Sequence, residues 1–513
     1  MISSQPDTES SATSVAGGAS PSGSPDRALL RLAGEISMKS RRTRRRFVNR
    51  LVDNLEDAFR SEGCTASVEA GWSRLYVEVD DPAGLDLLSR VFGLSSWSPI
   101  EGECEARLES IVQLGRELFA ERVRGRRYAV RARRAGEHPF GSQDVERELG
   151  AALNPGAVVD LDDPDVTVRV EVRDAKAHLF ADRVAGAGGL PLGVQSRAVA
   201  LLSGGFDSAV AAWMALRRGV ELDYVFCNLG GSAYRRMVLE VAKVLAERWS
   251  YGSRPRMFVL DFRPVVEEMR RSVKASHLQI VLKRLMYRCG SRIAEEVGGD
   301  AVITGESIGQ VSSQTLANLR AIHDAATVPV LRPLVGFDKE EIIARSREIG
   351  THDLSARVRE YCAIAPDHPA TASNPERARR QEDAVEPEVL AAALAEREEL
   401  FLRDLPSAEI AGEALFIEEV ADDAVVLDTR SDDAFEAWHW PGAERREFDE
   451  LRRRFEELDP ERTYVLCCEH GTRSASLAEA MQRAGYEAYA VRGGAVELRR
   501  IAAEAAEAAE PTR

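Results

Sequence analysis

The sequence contains very little lysine, no long apolar run and no Cys-x-x-Cys pair. Only six lysines stand beside 62 arginines in 513 residues, so each lysine near a motif is worth noting. No span reaches the roughly 18 consecutive apolar residues of a membrane helix. No Cys-x-x-Cys spacing is present, which argues against the common zinc frameworks. These absences favour a protein that neither spans a membrane nor folds around zinc.

The N-terminal region also lacks the features of a secretory signal. Residues 1–26 are rich in Ser, Gly, Pro and Ala, without a basic start or an apolar centre, which predicts a disordered tail. The seven cysteines are scattered, as expected for reduced thiols. We therefore expect a cytoplasmic protein.

Length and local pattern indicate several α/β domains. A chain of this length suggests three or four domains. We predict a small α+β domain at 27–83, a second at 84–183, a doubly wound parallel sheet at 184–365, a linker at 366–410 and a smaller α/β domain at 411–513. Residues 371–513 carry the whole net charge of −16, so the rest of the chain can still meet a polyanion.

Two basic runs are candidates for contact with phosphates. They are "KSRRTRRR" at 39–46 and "RVRGRRYAVRARR" at 122–134. The residues that we expect to contact a nucleic-acid backbone are Lys39, Arg41, Arg42, Arg44, Arg126, Arg127 and Arg131. A solvated, arginine-rich surface is the alternative interpretation.

The stretch "LLSGGFDSAV" at 201–210 predicts a phosphate-binding turn between a strand and a helix. It lacks the Gly-Lys-Ser/Thr of the Walker pattern and resembles the PP-loop of ATP pyrophosphatases, which cleave ATP between the α- and β-phosphates. Ser203, Gly204 and Gly205 would cradle pyrophosphate at a helix N-terminus. Asp207 and Ser208 would open that helix, with Asp207 orienting the loop or a Mg²⁺ ion. A Gly-Gly turn without a ligand is the simpler alternative.

Further along, "GESIGQVSSQTLANL" at 305–319 follows a strand and suits close approach to a nucleotide. Lys283 and, less specifically, Lys339 would neutralise charge on ATP. An exposed helix lysine is the ordinary alternative for both.

The C-terminal part contains a cysteine in an unusual loop. In "CEHGTRS", Cys468 follows a strand and begins a tight turn into a helix, where backbone N–H groups would stabilise a thiolate or a persulfide. Gly471 and Arg473 accompany it, whereas Cys467 would point to the opposite side of the strand and pack in the core. "VVLDTR", "HWPGA", "VLCCEHGTRS" and "VRGGAVEL" together resemble a rhodanese domain.

Taken in order, these motifs with "RPLVGFDKEEI" and "EYC" resemble the tRNA uridine 4-sulfurtransferases, the ThiI family. The resemblance implies ferredoxin-like, THUMP, PP-loop and rhodanese-like domains. It also implies a second reactive cysteine at Cys362. The ATP contacts that it implies are Leu201, Leu202, Lys283, Gly305 and Gln314.

The expected function is ATP- and Mg²⁺-dependent formation of 4-thiouridine at uridine 8 of tRNA, with sulfur delivered as a Cys468 persulfide. The resemblance further implies a cysteine desulfurase as donor, a disulfide between Cys362 and Cys468, and a thiol reductant that reopens it. We expect the rhodanese-like domain to swing on the linker during this cycle. A homodimer is one possible assembly. Two alternatives are sulfur transfer to a carrier protein with a C-terminal Gly-Gly, for thiamine synthesis, and a non-catalytic THUMP-type RNA-binding protein.

Overall fold

A computed structural model describes residues 26–71, 74–358, 368–406, 415–417, 420–421, 424–460, 462–484 and 486–509. The chain divides into two compact units. Among the described residues, those within Met1–Arg31, Phe59–Leu87 and Ser96–Ala185 form the first unit, and those within Leu32–Ala58, Leu88–Ser95 and Gly186–Arg513 form the second. Within the described ranges, no helix is long and apolar enough to cross a membrane.

The first sheet has five strands in the order β10-β4-β1-β3-β2. Alternation in "LYVEV" buries Leu75, Val77 and Val79, the pattern of a strand with one covered face. Its elements, with a 3₁₀ helix at Pro82–Ser89, are β1 (Arg27–Leu32), α1 (Gly34–Ser37), α2 (Arg41–Ser61), β2 (Ala66–Ala70), β3 (Leu75–Val79), β4 (Leu94–Pro99) and β10 (Val184–Ala185). Because β4 and β10 join it, this sheet continues beyond residue 83, where the sequence placed the end of the first domain.

The second sheet has the order β5-β9-β8-β6-β7 and packs against two helices. β6 and β8 pair in parallel over eight residue pairs, and β8 returns as β9 through a two-residue turn in which Asp174 has a φ of +48°. The elements are β5 (Gly102–Glu105), α3 (Leu108–Val123), β6 (Arg127–Ala135), α4 (Ser142–Leu153), β7 (Val158–Val159), β8 (Val166–Arg173) and β9 (Lys176–Phe180).

The third sheet has six strands in the order β15-β14-β11-β12-β13-β16. Its strands are β11 (Arg197–Leu201), β12 (Glu221–Asn228), β13 (Arg256–Asp261), β14 (Val302–Ile303), β15 (Val330–Leu331) and β16 (Glu398–Phe401). The helices around it are α5 (Phe206–Arg217), α6 (Gly231–Trp249), α7 (Arg263–Ser272), α8 (Leu278–Val297), α9 (Leu316–His323), α10 (Lys339–Ile349), α11 (His352–Arg357), α12 (Pro375–Glu382) and α13 (Pro387–Ala395), with 3₁₀ turns at Ala275–His277 and Ser312–Gln314.

Both faces of this sheet are covered by apolar clusters. One contains Val210 of α5 and Val238 of α6, and the other contains Val265 of α7 and Ile280 of α8. β11 to β15 pair in parallel. The predicted doubly wound parallel sheet is therefore confirmed.

Part of the segment predicted as a linker, Glu398–Phe401, instead forms a strand of this sheet. β16 pairs antiparallel with β13, with Leu400 opposite Met257. Glu382, at the end of α12, accepts a hydrogen bond from Arg284 Nε at 2.6 Å, and the Arg284 side chain is fully buried. The polar composition of 366–410 is typical of a linker. The sequence pattern does not show that the edge of β13 pairs with a further strand.

The fourth sheet is parallel, with the order β17-β21-β20-β18-β19. Its elements, with a 3₁₀ turn at Phe455–Glu457, are β17 (Phe416–Ile417), β18 (Val425–Asp428), α14 (Asp432–Ala437), β19 (Glu444–Arg445), α15 (Phe448–Arg454), β20 (Thr463–Cys467), α16 (Thr472–Arg483), β21 (Glu487–Val491) and α17 (Ala495–Ala509). Apolar clusters cover both faces. β20 is central, so the loop after Cys467 lies at the carboxyl edge.

Candidate active site

The turn after β11 lies where the strand order reverses. β11 pairs with β12 on one side and with β14 on the other, and sheets of this kind bind ligands beyond the strand ends at this point. Leu201 ends the strand half-buried, and Leu202 is buried. Gly204 has a φ of +78°, which glycine adopts at little cost. The turn therefore leads the backbone directly from the strand into α5.

Helix α5 presents its N-terminus at this turn. Gly205 is the N-cap, and Asp207 and Ser208 lie in the first turn. The Ser203 backbone N–H donates to the Ser208 hydroxyl oxygen at 3.2 Å, and that hydroxyl donates to the Gly205 carbonyl at 3.1 Å. The first backbone N–H groups of a helix lack intrahelical acceptors and carry partial positive charge. The turn is thus shaped to hold an anion such as pyrophosphate.

A second loop approaches this helix too closely for a side chain. A Cβ on Gly305 would lie 2.5 Å from the Asp207 carbonyl carbon and 2.6 Å from the Ser208 backbone nitrogen. Gln314 is buried, and its side-chain oxygen accepts a hydrogen bond from the Ser307 backbone N–H at 3.3 Å. Gln314 therefore shapes the loop that begins at Gly305.

The Asp207 carboxylate has two donors. Lys339 Nζ lies 2.8 Å from Oδ1, and Gln310 Nε2 donates to Oδ2 at 2.9 Å. No group of three or more His, Cys, Asp or Glu residues in the described part of the chain could hold a metal alone. Mg²⁺ commonly binds through one carboxylate and substrate phosphates. The residues present therefore fit Mg²⁺ that arrives with ATP and contacts Asp207.

A buried carboxylate that the sequence reasoning missed follows Gly305 in the chain. Glu306 is 6% exposed. Its Oε1 accepts a hydrogen bond from Lys283 Nζ at 3.1 Å. Its Oε2 accepts from three groups, namely Arg332 Nε at 2.9 Å, the Thr304 hydroxyl at 3.2 Å and the Tyr287 hydroxyl.

This cluster keeps Glu306 ionised. Burial alone would raise the pKa of its carboxyl group, but Lys283, the Tyr287 hydrogen bond and Arg332 together lower it to about 2. Burial and the Glu306 charge raise the pKa of Tyr287, so its hydroxyl remains a donor. Glu306 thus fixes two cations, Lys283 and Arg332, beside the loop. The sequence carries no signal for this cluster, because its members come from α8, the loop after β14 and the end of β15.

Cys468 lies in the loop between β20 and α16. Its Sγ accepts hydrogen bonds from the backbone N–H groups of Gly471 at 3.1 Å and Ser474 at 3.4 Å, and lies 3.3 Å from Ser474 Oγ. Gly471, the N-cap of α16, has a φ of +83°, and a Cβ there would lie 2.8 Å from the Val491 carbonyl oxygen. N–H groups converging on one sulfur at a helix N-terminus stabilise a thiolate or a persulfide.

The neighbours of Cys468 make other contacts. Cys467 is fully buried in the apolar core, and burial raises the pKa of its thiol. The Arg473 guanidinium lies 4.0 Å from the centre of the Phe448 ring. Cys362 lies outside the described residues. Of the two adjacent cysteines, Cys468 therefore has the surroundings that suit a sulfur carrier.

The first basic run forms the start of α2. Lys39, Arg41 and Arg42 are exposed, Arg44 is partly exposed, and the first turn of the helix contains no acidic residue. The helix dipole disfavours cations at this end. An external anion such as a phosphate would stabilise them.

The second basic run divides between local pairing and a larger cluster. Arg127 forms ion pairs with three carboxylates, at 3.4 Å from Asp160, 2.8 Å from Asp163 and 2.9 Å from Asp165. Its charge is therefore neutralised within the protein, which differs from the predicted phosphate contact. Arg126 is exposed, and Arg131 donates to the Leu161 carbonyl at 2.5 Å.

Arg131 also lines a cationic cavity that the sequence reasoning missed. The cavity, of about 50 Å³, has five arginines in its wall, namely Arg31, Arg131, Arg133, Arg169 and Arg183. Glu171 also lines it and is 2% exposed. Burial lowers the pKa of Arg31 to about 10 and lowers that of Arg169. This excess of positive charge suits a polyanion.

Four family models match the chain in sequence order. They are the ThiI ferredoxin-like domain at residues 27–98, the THUMP domain at 105–182, the thiamine biosynthesis protein (ThiI) at 193–386 and the rhodanese-like domain at 414–500. The tRNA sulfurtransferase of Desulfurococcus amylolyticus is 38% identical over 480 residues, which cover 92% of this chain and 98% of that protein. This chain belongs to the tRNA sulfurtransferase (ThiI) family.

Other members of the tRNA sulfurtransferase family show similar coverage. That of Yersinia enterocolitica is 36% identical over 89% of this chain and 98% of its own length. A solved 4-thiouridine synthetase in complex with RNA and ATP superposes with a TM-score of 0.64 and 33% identity, covering 73% of this chain and 99% of that one. The family and fold class predicted from the motifs are therefore confirmed, and the chain is an enzyme of the sulfurtransferase class.

Proposed function

We propose that the protein uses ATP to transfer sulfur from a persulfide on Cys468 to C4 of uridine 8 in tRNA, which forms 4-thiouridine. The observation that carries this proposal is one chain with both an anion-binding turn after β11 and a cysteine sulfur held by two backbone N–H groups. The turn suits nucleotide chemistry, and the sulfur site suits sulfur transfer.

In the first step, the uridine O4 attacks the α-phosphorus of ATP, and pyrophosphate leaves. The turn of Ser203, Gly204 and Gly205 binds the departing pyrophosphate, with the backbone N–H groups of Gly204 and Gly205 as donors, because the Ser203 N–H already donates to Ser208. Lys283, fixed by Glu306, stabilises the charge that develops on the phosphates. Mg²⁺, when bound, would neutralise phosphate charge, and Asp207 is the residue that would hold it.

In the second step, the terminal sulfur of the persulfide attacks C4, and AMP leaves with the former O4. The Cys362 thiolate then attacks Cys468 Sγ. The S–S bond of the mixed intermediate breaks, its electron pair leaves with the 4-thiouridine sulfur, and a Cys362–Cys468 disulfide forms. A thiol reductant reopens the disulfide, and a cysteine desulfurase supplies the next persulfide sulfur.

The tRNA contacts come from the basic start of α2 and the arginine-lined cavity. These surfaces offer clustered cations, the arrangement that binds a phosphate backbone. The solved RNA complex of a family member supports RNA as the partner. A homodimer stays a prediction for the assembly.

A second candidate function is sulfur transfer to a carrier protein with a C-terminal Gly-Gly. It is favoured by the matching family model, which describes a thiamine biosynthesis protein, and by the separate sulfur site at Cys468. Membership of an enzyme family and the well-formed turn at Ser203–Gly205 argue against the non-catalytic RNA-binding alternative.

The test is to incubate the protein with tRNA, ATP, Mg²⁺, a cysteine desulfurase with cysteine, and a reductant, and to measure 4-thiouridine by mass spectrometry of digested nucleosides. We expect Cys468→Ala to abolish the product. Cys467→Ala is the matched control, since it removes the adjacent buried thiol and should retain the activity. Absence of 4-thiouridine with the unaltered protein, or a persulfide mapped to Cys467, would contradict the proposal.

A further inference from the structure

The rhodanese-like domain lies directly against the PP-loop domain. Helix α16, which begins at the Cys468 loop, packs against α6 of the doubly wound sheet. Next to this packing, Arg492 Nη1 lies 3.3 Å from Glu240 Oε1, with side chains 38% and 21% exposed. The two domains therefore meet through a helix pair and a partly exposed ion pair.

On the rhodanese-like side, Arg492 lies in the turn after β21, next to the loop that carries Cys468. It immediately precedes Gly493 and Gly494, and a Cβ on Gly494 would lie 2.4 Å from the Cys468 carbonyl oxygen. The Ala495 backbone N–H donates to that same oxygen at 3.0 Å. The contact at Arg492 therefore lies beside the Cys468 loop.

On the other side, α6 also forms part of the nucleotide site. The Tyr234 hydroxyl donates to the Ser203 carbonyl at 3.0 Å. Val238 is the neighbour that a Cβ on Gly204 would meet at 3.0 Å. Because Tyr234 and Val238 contact the phosphate-binding turn and Glu240 contacts Arg492, one helix joins the two reacting centres.

Beside the helix pair, the interface is incompletely packed and is lined by charged as well as apolar residues. A cavity of about 480 Å³ separates the domains, lined among others by Asp261 and Arg263 on one side and by Phe448 and Glu479 on the other. Loosely packed interfaces with charged residues are typical of domains that associate reversibly. A reversible contact suits the proposed cycle, in which Cys468 meets a sulfur donor protein before it meets the tRNA.

We propose that the rhodanese-like domain docks on α6 to deliver sulfur, and that the Glu240–Arg492 ion pair selects this docked arrangement. This inference rests on the proposed function. An exposed ion pair contributes little by itself, but the two domains belong to one chain, so docking is intramolecular and weak contacts suffice to bias it. Like charges at this contact would favour separation.

The test compares each single charge reversal with a double variant in which the two charges have changed places. Glu240→Arg and Arg492→Glu are compared with the unaltered protein and with the double variant that carries both changes. Each protein is first loaded with persulfide, and a single turnover of 4-thiouridine formation is then followed after addition of ATP, Mg²⁺ and tRNA. We expect each single reversal to slow this turnover three- to tenfold, and the double exchange to restore it to within twofold.

Two further measurements make the result specific. Persulfide loading on Cys468 and ATP binding should stay within twofold in all variants, because neither residue contacts the sulfur or the turn. The neutral variants Glu240→Gln and Arg492→Gln, which risk less disruption of the fold, should slow turnover by less than the reversals. Single reversals that leave turnover unchanged, or a double exchange no faster than the slower single variant, would overturn the docking proposal. Failure of the unaltered protein to make 4-thiouridine would refute the proposed function instead.

Discussion

Glu306→Gln tests how the nucleotide site is built. The substitution keeps the size of the side chain but removes the charge that Lys283 and Arg332 share. Glutamine keeps one accepting oxygen but places an NH2 donor where the other oxygen accepts hydrogen bonds, so the variant removes the charge together with one set of accepted bonds. We expect two buried or half-buried cations without their counter-ion to destabilise this part of the sheet.

The magnitude follows from the pKa of Glu306. A shift from the ordinary 4.5 to about 2 corresponds to about 3 kcal/mol at 1.36 kcal/mol per unit. Since the folded state lowers this pKa, the contribution is fully present above pH about 4.5 and is lost as the pH falls toward 2. The variant should therefore lose about 3 kcal/mol at neutral pH, and the deficit should shrink in acid.

The assay is hydrogen exchange followed by mass spectrometry of peptides from α8 and β14, which reports this domain separately from the others. A loss of about 3 kcal/mol corresponds to more than 100-fold faster exchange when exchange follows local opening. Glu340→Gln is the matched control, because Glu340 is exposed on α10. We also expect a lower turnover number without a higher KM for ATP, since the cations remain but are no longer fixed. Exchange within threefold of the unaltered protein at pH 7 would refute this reasoning.

Three further outcomes are expected. Asp207→Ala should abolish ATP-dependent 4-thiouridine formation while Cys468 still accepts sulfur from a donor, and normal product formation, measured on tRNA nucleosides, would contradict the assignment. Reversing Arg41 and Arg42 to Glu should weaken tRNA binding and flatten the slope of log affinity against log salt by about 1 to 2, with ATP binding as the control; an unchanged slope would return this run to an ordinary solvated surface. Cys362→Ser should load persulfide on Cys468 but stop after one turnover, and repeated turnover in reductant would exclude Cys362 as the resolving thiol.

Local sequence patterns were sufficient where a function depends on consecutive backbone groups. The turn at Ser203–Gly205 and the loop that begins at Cys468 each lie between a strand and a helix, as their residues predicted. In both, glycine at positive φ and a helix N-terminus lie within a few residues of each other. In such short segments, the local sequence determines most of the backbone conformation.

Contacts between distant segments were not predictable in the same way. Glu306 is held by hydrogen bonds from Lys283 on α8 and Arg332 after β15. No spacing pattern in the sequence links these three residues. Arg127 looked like a free cation until the fold placed three aspartates around it. A sequence shows which residues carry a charge, but tertiary packing decides which groups they pair with.

The position of β16 has a consequence for how the chain can be divided. A chain shortened after residue 365 would leave the edge of β13 unpaired, and open edges promote association between molecules. It would also remove Glu382 from the fully buried Arg284 and leave Asp324 as the carboxylate partner, and losing one partner of a buried ion pair is strongly destabilising. The sulfur-carrying module can be detached cleanly only beyond β16. A relative without that module should therefore still carry this closing strand as its own C-terminal element.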